Sequence, residues 1–150
     1  MRGEAFYQAL AREPGHSPVL ESPGDEHDRI MQVYRGNQAI HRRPVLVTEY
    51  YWLGFDMSKL DFANMVALDM KAFLGSRADH LVVHRDLYGE YEERYGSIQA
   101  QLRNRAEPTR RQARTVTEGL TQTWGPPDYS DDAISAWNLR RVRRAVISGK

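Results

Sequence analysis

The feature that most constrains the fold is an apolar run in the middle of the chain. Ser58 is followed three residues later by Asp61, a pattern typical of helix starts, and apolar side chains then cover most faces of a helix over residues 60–74. A Gly-Ser pair at 75–76 ends the run. Because a helix with apolar residues on most faces is stable only when it is buried, this segment is predicted to be the central helix of the core.

A second helix is predicted directly after that break. Asp79 can cap it, and it extends to about Ala106. The two helices together predict an antiparallel helical hairpin over residues 58–106. The predicted fold class is therefore mainly α, a small helical bundle built on this hairpin, with extended N- and C-terminal arms. The second helix carries a stripe in steps of three and four, made of Tyr88, Tyr91, Tyr95, Ile98 and Leu102.

The N-terminal part adds shorter elements to that hairpin. Helix-forming residues predict one helix over 4–12 and another over 25–40. The Pro- and Gly-rich segment between them, residues 13–24, is predicted to be a surface loop or an extended arm. Residues 45–55 are β-branched and aromatic, which favours a strand or an extended segment. A chain of 150 residues suits one domain, so residues 1–106 are predicted to form one helical domain.

The chain changes character after the predicted hairpin. Residues 107–150 are predicted to form an extended C-terminal arm, because the stretch up to 130 is polar and rich in Thr and Pro. A short basic helix is predicted over 131–147, where Trp137 offers an anchor for a partner. The alternative is that this helix folds back and Trp137 fills a groove in its own core. The candidate partner-binding residues are Trp137, Leu139, Arg140, Arg141, Arg143 and Arg144.

Charge limits the classes of partner. The chain has 21 basic and 20 acidic side chains, and a formal net charge of +1 argues against a dedicated DNA-binding domain. The distribution is uneven, however, since residues 103–150 carry ten basic and five acidic side chains. Arginines in that segment can neutralise phosphates. A small nucleic-acid-binding regulatory protein that uses the Arg-rich C-terminal segment is therefore one candidate function.

Residue types that carry chemistry are sparse or incomplete. The chain has no Cys, which excludes disulfides and thiol catalysis. His80 and His84 stand four residues apart on the predicted helix, but the Glu of the zinc-binding H-E-x-x-H pattern is missing between them. Gly-rich phosphate-binding loops and apolar runs of membrane-spanning length are also missing. The sequence therefore predicts a protein that is not an enzyme, has no catalytic residue, cofactor or metal, and has no membrane partner.

The order of segments in the middle of the chain is similar to that of a known family. ALDMKAFLGSRADH at 67–80 is followed by LYGEYEERYGSIQAQLRNRAE at 87–107, giving an Ala- and Leu-rich helix, a brief break and a helix with spaced tyrosines. Arg-rich residues and an extended tail come next. This order resembles the head-to-tail adaptor (connector) proteins of short-tailed bacteriophages, over about residues 58–107.

The resemblance implies a structural role in the phage virion. Proteins of that family are helical bundles that form a homo-oligomeric ring between the portal protein and a tail component. The ring would line the channel through which DNA passes without sequence-specific contacts. The expected location is the virion, assembled in the host cytoplasm.

Overall fold

The computed structural model of the protein describes residues 3–22, 28–47, 78–90, 93 and 110–148. Within these ranges, residues 85–90 are helical and continue directly from the strand before them. The other elements, in chain order, are α1 (Glu4–Arg12), β1 (Val19–Ser22), α2 (Asp28–His41), β2 (Val45–Val47), β3 (His80–His84), α3 (Arg110–Trp124), β4 (Tyr129–Ser130), β5 (Ile134–Asn138) and α4 (Leu139–Ile147).

In the described part of the chain, five strands form one mixed sheet in the order β2-β1-β3-β5-β4. β1 is parallel to both β2 and β3, whereas β5 is antiparallel to β3 and to β4. The central strand β3 is buried at all five positions. The fold is therefore α/β, and the predicted mainly-α helical bundle is wrong.

The pairing register divides the apolar residues of the sheet between its two faces. Leu20 pairs with Leu81, which pairs with Trp137, so these three side chains share one face. Apolar residues of α3 and α4 cover that face. Val82 pairs with Ala136 on the opposite face, which packs against α1. Because α2 packs against α1, the described elements form three layers, with helices on both sides of the sheet.

The predicted hairpin fails at its second helix. Residues 80–84, expected to lie inside that helix, form the strand β3. The sequence HLVVH is a short apolar run with two β-branched residues, and periodicity alone cannot separate such a run from a turn of buried helix. The predicted first helix at 58–74 and most of the tyrosine stripe lie outside the described residues.

The predicted C-terminal arm is also wrong for residues 110–148. The 15-residue helix α3 occupies much of the expected tether. The first part of the predicted basic helix at 131–147 contains the strand β5, and the observed helix α4 begins only at Leu139. α3 buries Ala113, Val116, Leu120 and Trp124, which recur at helical spacing. The many threonines of this segment led the sequence analysis to predict an extended tether. In α3, three of their hydroxyls donate to the backbone carbonyl oxygen four residues earlier, at 2.8 Å.

Other local predictions are confirmed. α1 has the predicted bounds, and α2 ends at His41, one residue beyond the predicted end of its helix. β2 begins where the β-branched segment begins. The predicted loop at 13–24 is wrong over residues 19–22, because these form β1. In the described ranges, no helix is long and apolar enough to cross a membrane.

Candidate functional site

A polar cluster lies in the interior where the parallel strands β1 and β3 end. Glu21 pairs with Val82, and His84 follows Val82 by two residues, so both polar side chains project from the same face of the sheet. That face is covered by α1. Glu21 is 0% exposed and His84 is 2% exposed. A carboxylate and an imidazole at such depth require partners.

The side chains of Glu21, His84 and Tyr7 are hydrogen-bonded to one another. The Glu21 Oε2 atom lies 2.5 Å from His84 Nε2. The Tyr7 hydroxyl donates to the two oxygens of Glu21 at 3.2 and 3.1 Å, and lies 2.9 Å from His84 Nε2. One arrangement of protons satisfies all three groups: the carboxylate accepts from the Tyr7 O–H and from the His84 Nε2–H. Such charge-assisted hydrogen bonds are the strong ones in proteins.

Aromatic rings fix the position of this cluster. The Tyr7 ring stacks on the imidazole of His41, with the ring centroids 5.5 Å apart, and is nearly parallel to the imidazole of His84 at 6.3 Å. The Tyr34 ring centroid lies 5.1 Å from that of His84. Burial raises the pKa of Tyr7 well above its ordinary value, and the negative charge of Glu21 adds to this rise. Tyr7 is therefore a hydrogen-bond donor at neutral pH.

Two further polar residues of α2 belong to the same interior region. His41 Nδ1 accepts a hydrogen bond from the Arg43 backbone N–H at 3.0 Å, which leaves the proton of the neutral ring on Nε2. Burial lowers the pKa of His41, against the opposing effect of the Glu21 charge. In the described part of the chain, His41 Nε2 and both polar side-chain atoms of Asn37 are buried without a hydrogen-bond partner.

The cluster extends towards a cleft through the other nitrogen of His84. Nδ1 lies 4.0 Å from Asp86 Oδ1. Asp86 and Arg85 line an open cleft of about 890 Å³ between the helical residues 85–90 and α3, and Glu90 and Arg114 also line it. A carboxylate, an imidazole and a second carboxylate thus follow one another from the interior to the cleft. The 4.0 Å separation of His84 Nδ1 and Asp86 Oδ1 is longer than a hydrogen bond, so this is an electrostatic contact that brings the cluster close to the cleft.

His80, the other histidine of β3, belongs to a different network. Its Nε2 lies 3.0 Å from Glu13 Oε2, near the end of α1, and Arg140 of α4 reaches the same oxygen at 3.4 Å. His80 and His84 share one face of the strand but contact different carboxylates. Among the described residues, no three His, Asp or Glu side chains are placed to hold a metal ion.

Trp137 and Leu139, predicted to bind a partner, lie in the core of their own chain. Both are 0% exposed, and both pack in the apolar cluster between the sheet and α3 and α4. The Trp137 Nε1–H donates to the Gly125 carbonyl at 3.1 Å. The alternative prediction, that Trp137 packs in the core of its own chain, is therefore confirmed, and Trp137 is not an exposed anchor.

The predicted partner-binding arginines mostly contact acidic groups of their own chain. Arg141 donates to both oxygens of Asp128, at 2.8 and 3.0 Å. Arg143 lies 3.5 Å from Asp79, and Arg140 lies 3.8 Å from the same carboxylate. Arg144 is exposed, and its Nε donates to the backbone carbonyl of Arg140 at 3.4 Å. These contacts reduce the positive charge that α4 can offer to a phosphate backbone.

Sequence reasoning missed the residues of the interior cluster. Glu21 stands in a four-residue strand between two prolines, within a segment predicted to be a loop. The sequence places His84 near the start of a helix, because residues 80–84 are predicted to be helical. The available signal was a titratable residue at or next to the end of each of two short apolar runs, Glu21 in VLES and His84 in HLVVH. Polar residues at the ends of buried parallel strands are typical of functional sites.

Comparison with protein-family models, curated proteins and solved structures gives no match to this chain. The adaptor function implied by the resemblance is untested by these comparisons. The structure removes one feature of the resemblance, because residues 80–84 form a strand where the long second helix was expected. The burial of Trp137 separately removes the exposed anchor of the predicted docking arm. The interior cluster and its cleft therefore provide the strongest physical basis for a function.

Proposed function

We propose that the protein is an enzyme that moves a proton to or from a small substrate, with His84 as its acid–base group. The observation that carries this proposal is the buried hydrogen bond between Glu21 and His84 at the carboxyl ends of two parallel strands. Ligands of open α/β sheets bind at that edge. The proposal replaces the sequence-based expectation that the protein is not an enzyme.

Each residue of the cluster has a distinct part in this function. Glu21 accepts the Nε2–H of His84 and so fixes the ring, leaving Nδ1 to exchange the proton on the side of Asp86. This division of roles is that of a carboxylate–histidine pair in acid–base enzymes. Tyr7 donates to Glu21 and stabilises the charged carboxylate. Asp86 connects the pair to the cleft that would hold the substrate.

A purely structural role is the main alternative for a buried ionic cluster. A structural network is expected to be satisfied throughout, because every unpaired polar atom costs stability. Here the described residues leave three side-chain atoms of Asn37 and His41 without a partner beside the pair. The position at the strand ends and these three atoms together favour a site that binds a ligand.

The proposal is tested by measuring turnover across substrate classes that need proton transfer. Chromogenic esters, phosphate esters, amides and nucleosides are incubated with the full chain and with His84→Asn and Glu21→Gln. We expect turnover of at least one class, reduced by about 100-fold or more in both variants. His80→Asn is the matched control, because it changes the other histidine on the same face of β3.

Two results would contradict the acid–base function. The first is turnover that survives His84→Asn unchanged. The second is an equal loss in His80→Asn, which would indicate a general structural effect. Circular dichroism of each variant shows whether the helices and strands are retained, so that loss of catalysis is separated from loss of the fold.

A further inference from the structure

The cleft between the helical residues 85–90 and α3 is lined by charged and small side chains. Five carboxylates and three guanidiniums line it, which gives a formal net charge of −2. Among the described residues that line it, none is aromatic, and the largest apolar side chain is that of Ala113. Pockets for apolar ligands are instead lined by hydrophobic and aromatic side chains. The cleft therefore fits a polar ligand, and its charge favours a positive one.

Two of the three guanidiniums lie on α3, each beside a carboxylate. Arg110 pairs with Glu93. A Cβ atom at Gly89 would lie 3.1 Å from Arg110 Nε, so the glycine leaves the space that the Arg110 side chain occupies. Arg114 is exposed, and Glu118 stands four residues after it, on the same face of α3. The two positive charges on the α3 side of the cleft are therefore offset by neighbouring negative charges.

Two further carboxylates lie at the end of the cleft next to His84. Asp86 follows His84 by two residues, and its backbone N–H donates to the Ala133 carbonyl at 3.3 Å. That hydrogen bond brings the neighbouring residue Asp132 to the same end of the cleft. Asp86 and Asp132 both line the cleft. This end of the cleft therefore lies closest to the acid–base pair and carries two acidic side chains.

The third guanidinium, that of Arg85, is used within the protein. Its Nη2 donates to the backbone carbonyl oxygens of Asp131 and Ile134, the second at 3.0 Å. Because Asp131 precedes Asp132 directly, the single positive charge of Arg85 stands among three carboxylates, those of Asp86, Asp131 and Asp132. The end of the cleft next to His84 is therefore negative even with Arg85 included, and it attracts a cation.

We propose that the substrate of this site carries a positively charged amine or guanidinium group, which binds at the end of the cleft bordered by Asp86 and Asp132. The inference rests on the proposed acid–base function, because His84 would act on the part of the substrate next to this cation. Hydrogen bonds from an ammonium or guanidinium group to a carboxylate are charge-assisted and strong. The same carboxylates repel an anion, so they also determine which substrates are excluded.

The test measures binding directly, with no need for turnover. Butylammonium chloride is titrated into the ¹⁵N-labelled full chain, and the backbone amide resonances of residues 85–90 are followed by NMR. Sodium butyrate and butanol are probes of similar size with a negative charge or none, and magnesium chloride supplies an inorganic cation. We expect saturable shifts with butylammonium alone, with a Kd of about 1–10 mM for so small a probe.

Variants assign the contact to individual carboxylates. Asp132→Asn removes one charge at an exposed position, where the core is not disturbed, and should weaken butylammonium binding about threefold to tenfold. Asp86→Asn removes the second charge and should have a similar effect. Glu4→Gln is the matched control, because it removes the same charge from an exposed position on α1, across the sheet from the cleft. It should leave binding unchanged.

Several outcomes would overturn this inference. They are unsaturable shifts with butylammonium, equally tight binding of butyrate, butanol or Mg²⁺, or an equal effect of Asp132→Asn and Glu4→Gln. The acid–base function fails separately, when turnover survives His84→Asn unchanged. Butylammonium binding in that case would leave a cation-binding cleft without the proposed catalysis. Turnover without butylammonium binding would leave the catalysis with a substrate of another class.

Discussion

Glu21 shows how a few side chains make a buried charge tolerable. It has no exposed surface, and the groups that offset the cost of its burial are the Tyr7 hydroxyl and the His84 imidazole. Hydrogen bonds to a charged group contribute about 1.5–3 kcal/mol, more than bonds between neutral groups. The stability of the protein and the geometry of its candidate site therefore depend on the same three side chains.

The variant Tyr7→Phe tests the contribution of the Tyr7 hydroxyl separately from that of its ring. The stacking on His41 and His84 remains, while the donor to Glu21 is lost. We expect the free energy of unfolding to fall by about 1.5–3 kcal/mol, measured by urea denaturation at pH 7. Tyr129→Phe is the control, because the Tyr129 hydroxyl donates to Asp131 in a less buried position. Similar losses in both variants would show that Glu21 does not depend on Tyr7.

His41 makes stability depend on pH. Burial lowers its pKa in the folded state below the ordinary value of 6.5. The unfolded chain then binds a proton more readily, so the contribution of His41 is present above pH 6.5 and is lost as the pH falls towards the folded pKa. We expect the urea midpoint to decrease between pH 7 and pH 5, and to decrease less in His41→Phe. An identical pH profile in the two proteins would contradict this assignment.

At the scale of elements, the end of α1 depends on a side chain from a distant segment. The guanidinium of Arg43, just after α2, donates to the carbonyl oxygens of Glu13, Pro14 and Ser17 at 3.1 to 3.4 Å. Arg43 is only 3% exposed. These carbonyls follow the last turn of α1, where a positive charge is also favourable for the helix dipole. Arg43 therefore connects α1, the segment after it and α2.

Arg43→Met keeps the length of the side chain and removes its donors. We expect a loss of about 2–3 kcal/mol in unfolding free energy, because the hydrogen bonds from a buried charged group to these three carbonyls would be lost. Arg42→Met is a matched control at the neighbouring, exposed position. Both variants are compared by urea denaturation. A loss no larger in Arg43→Met than in Arg42→Met would mean that the carbonyls find other partners.

For the molecule as a whole, the sequence predicts local elements better than long-range pairing. α1 and α2 follow from helix-forming residues within single segments, and β2 from β-branched residues. β1 and β3 are short, and each becomes a strand through pairing with neighbours that are distant in the chain. The candidate site combines residues up to 77 positions apart, from Tyr7 to His84. Local spacing carries no signal for such a site.

The role of the C-terminal segment gives the sharpest test of the whole fold. An extended arm could be removed at Pro108 without unfolding the rest of the chain. In the structure, however, this segment supplies β5, which pairs with β3 along its full length, and the two helices that cover one face of the sheet. Truncation at Pro108 would expose β3 along one edge and uncover Leu20, Leu81 and Val83.

We therefore expect the chain truncated at Pro108 to lose cooperative unfolding in thermal and urea denaturation. Trp137→Ala is a milder change with the same cause, and it should cost about 3–5 kcal/mol because a large buried side chain is removed. Deletion of residues 149–150 alone is the control and should leave stability unchanged. A sharp transition in the Pro108 truncation would mean that the first 107 residues form a core of their own. The three-layer arrangement would then not be what stabilises β3, and the position of His84 would have to be explained by α1 and α2 alone.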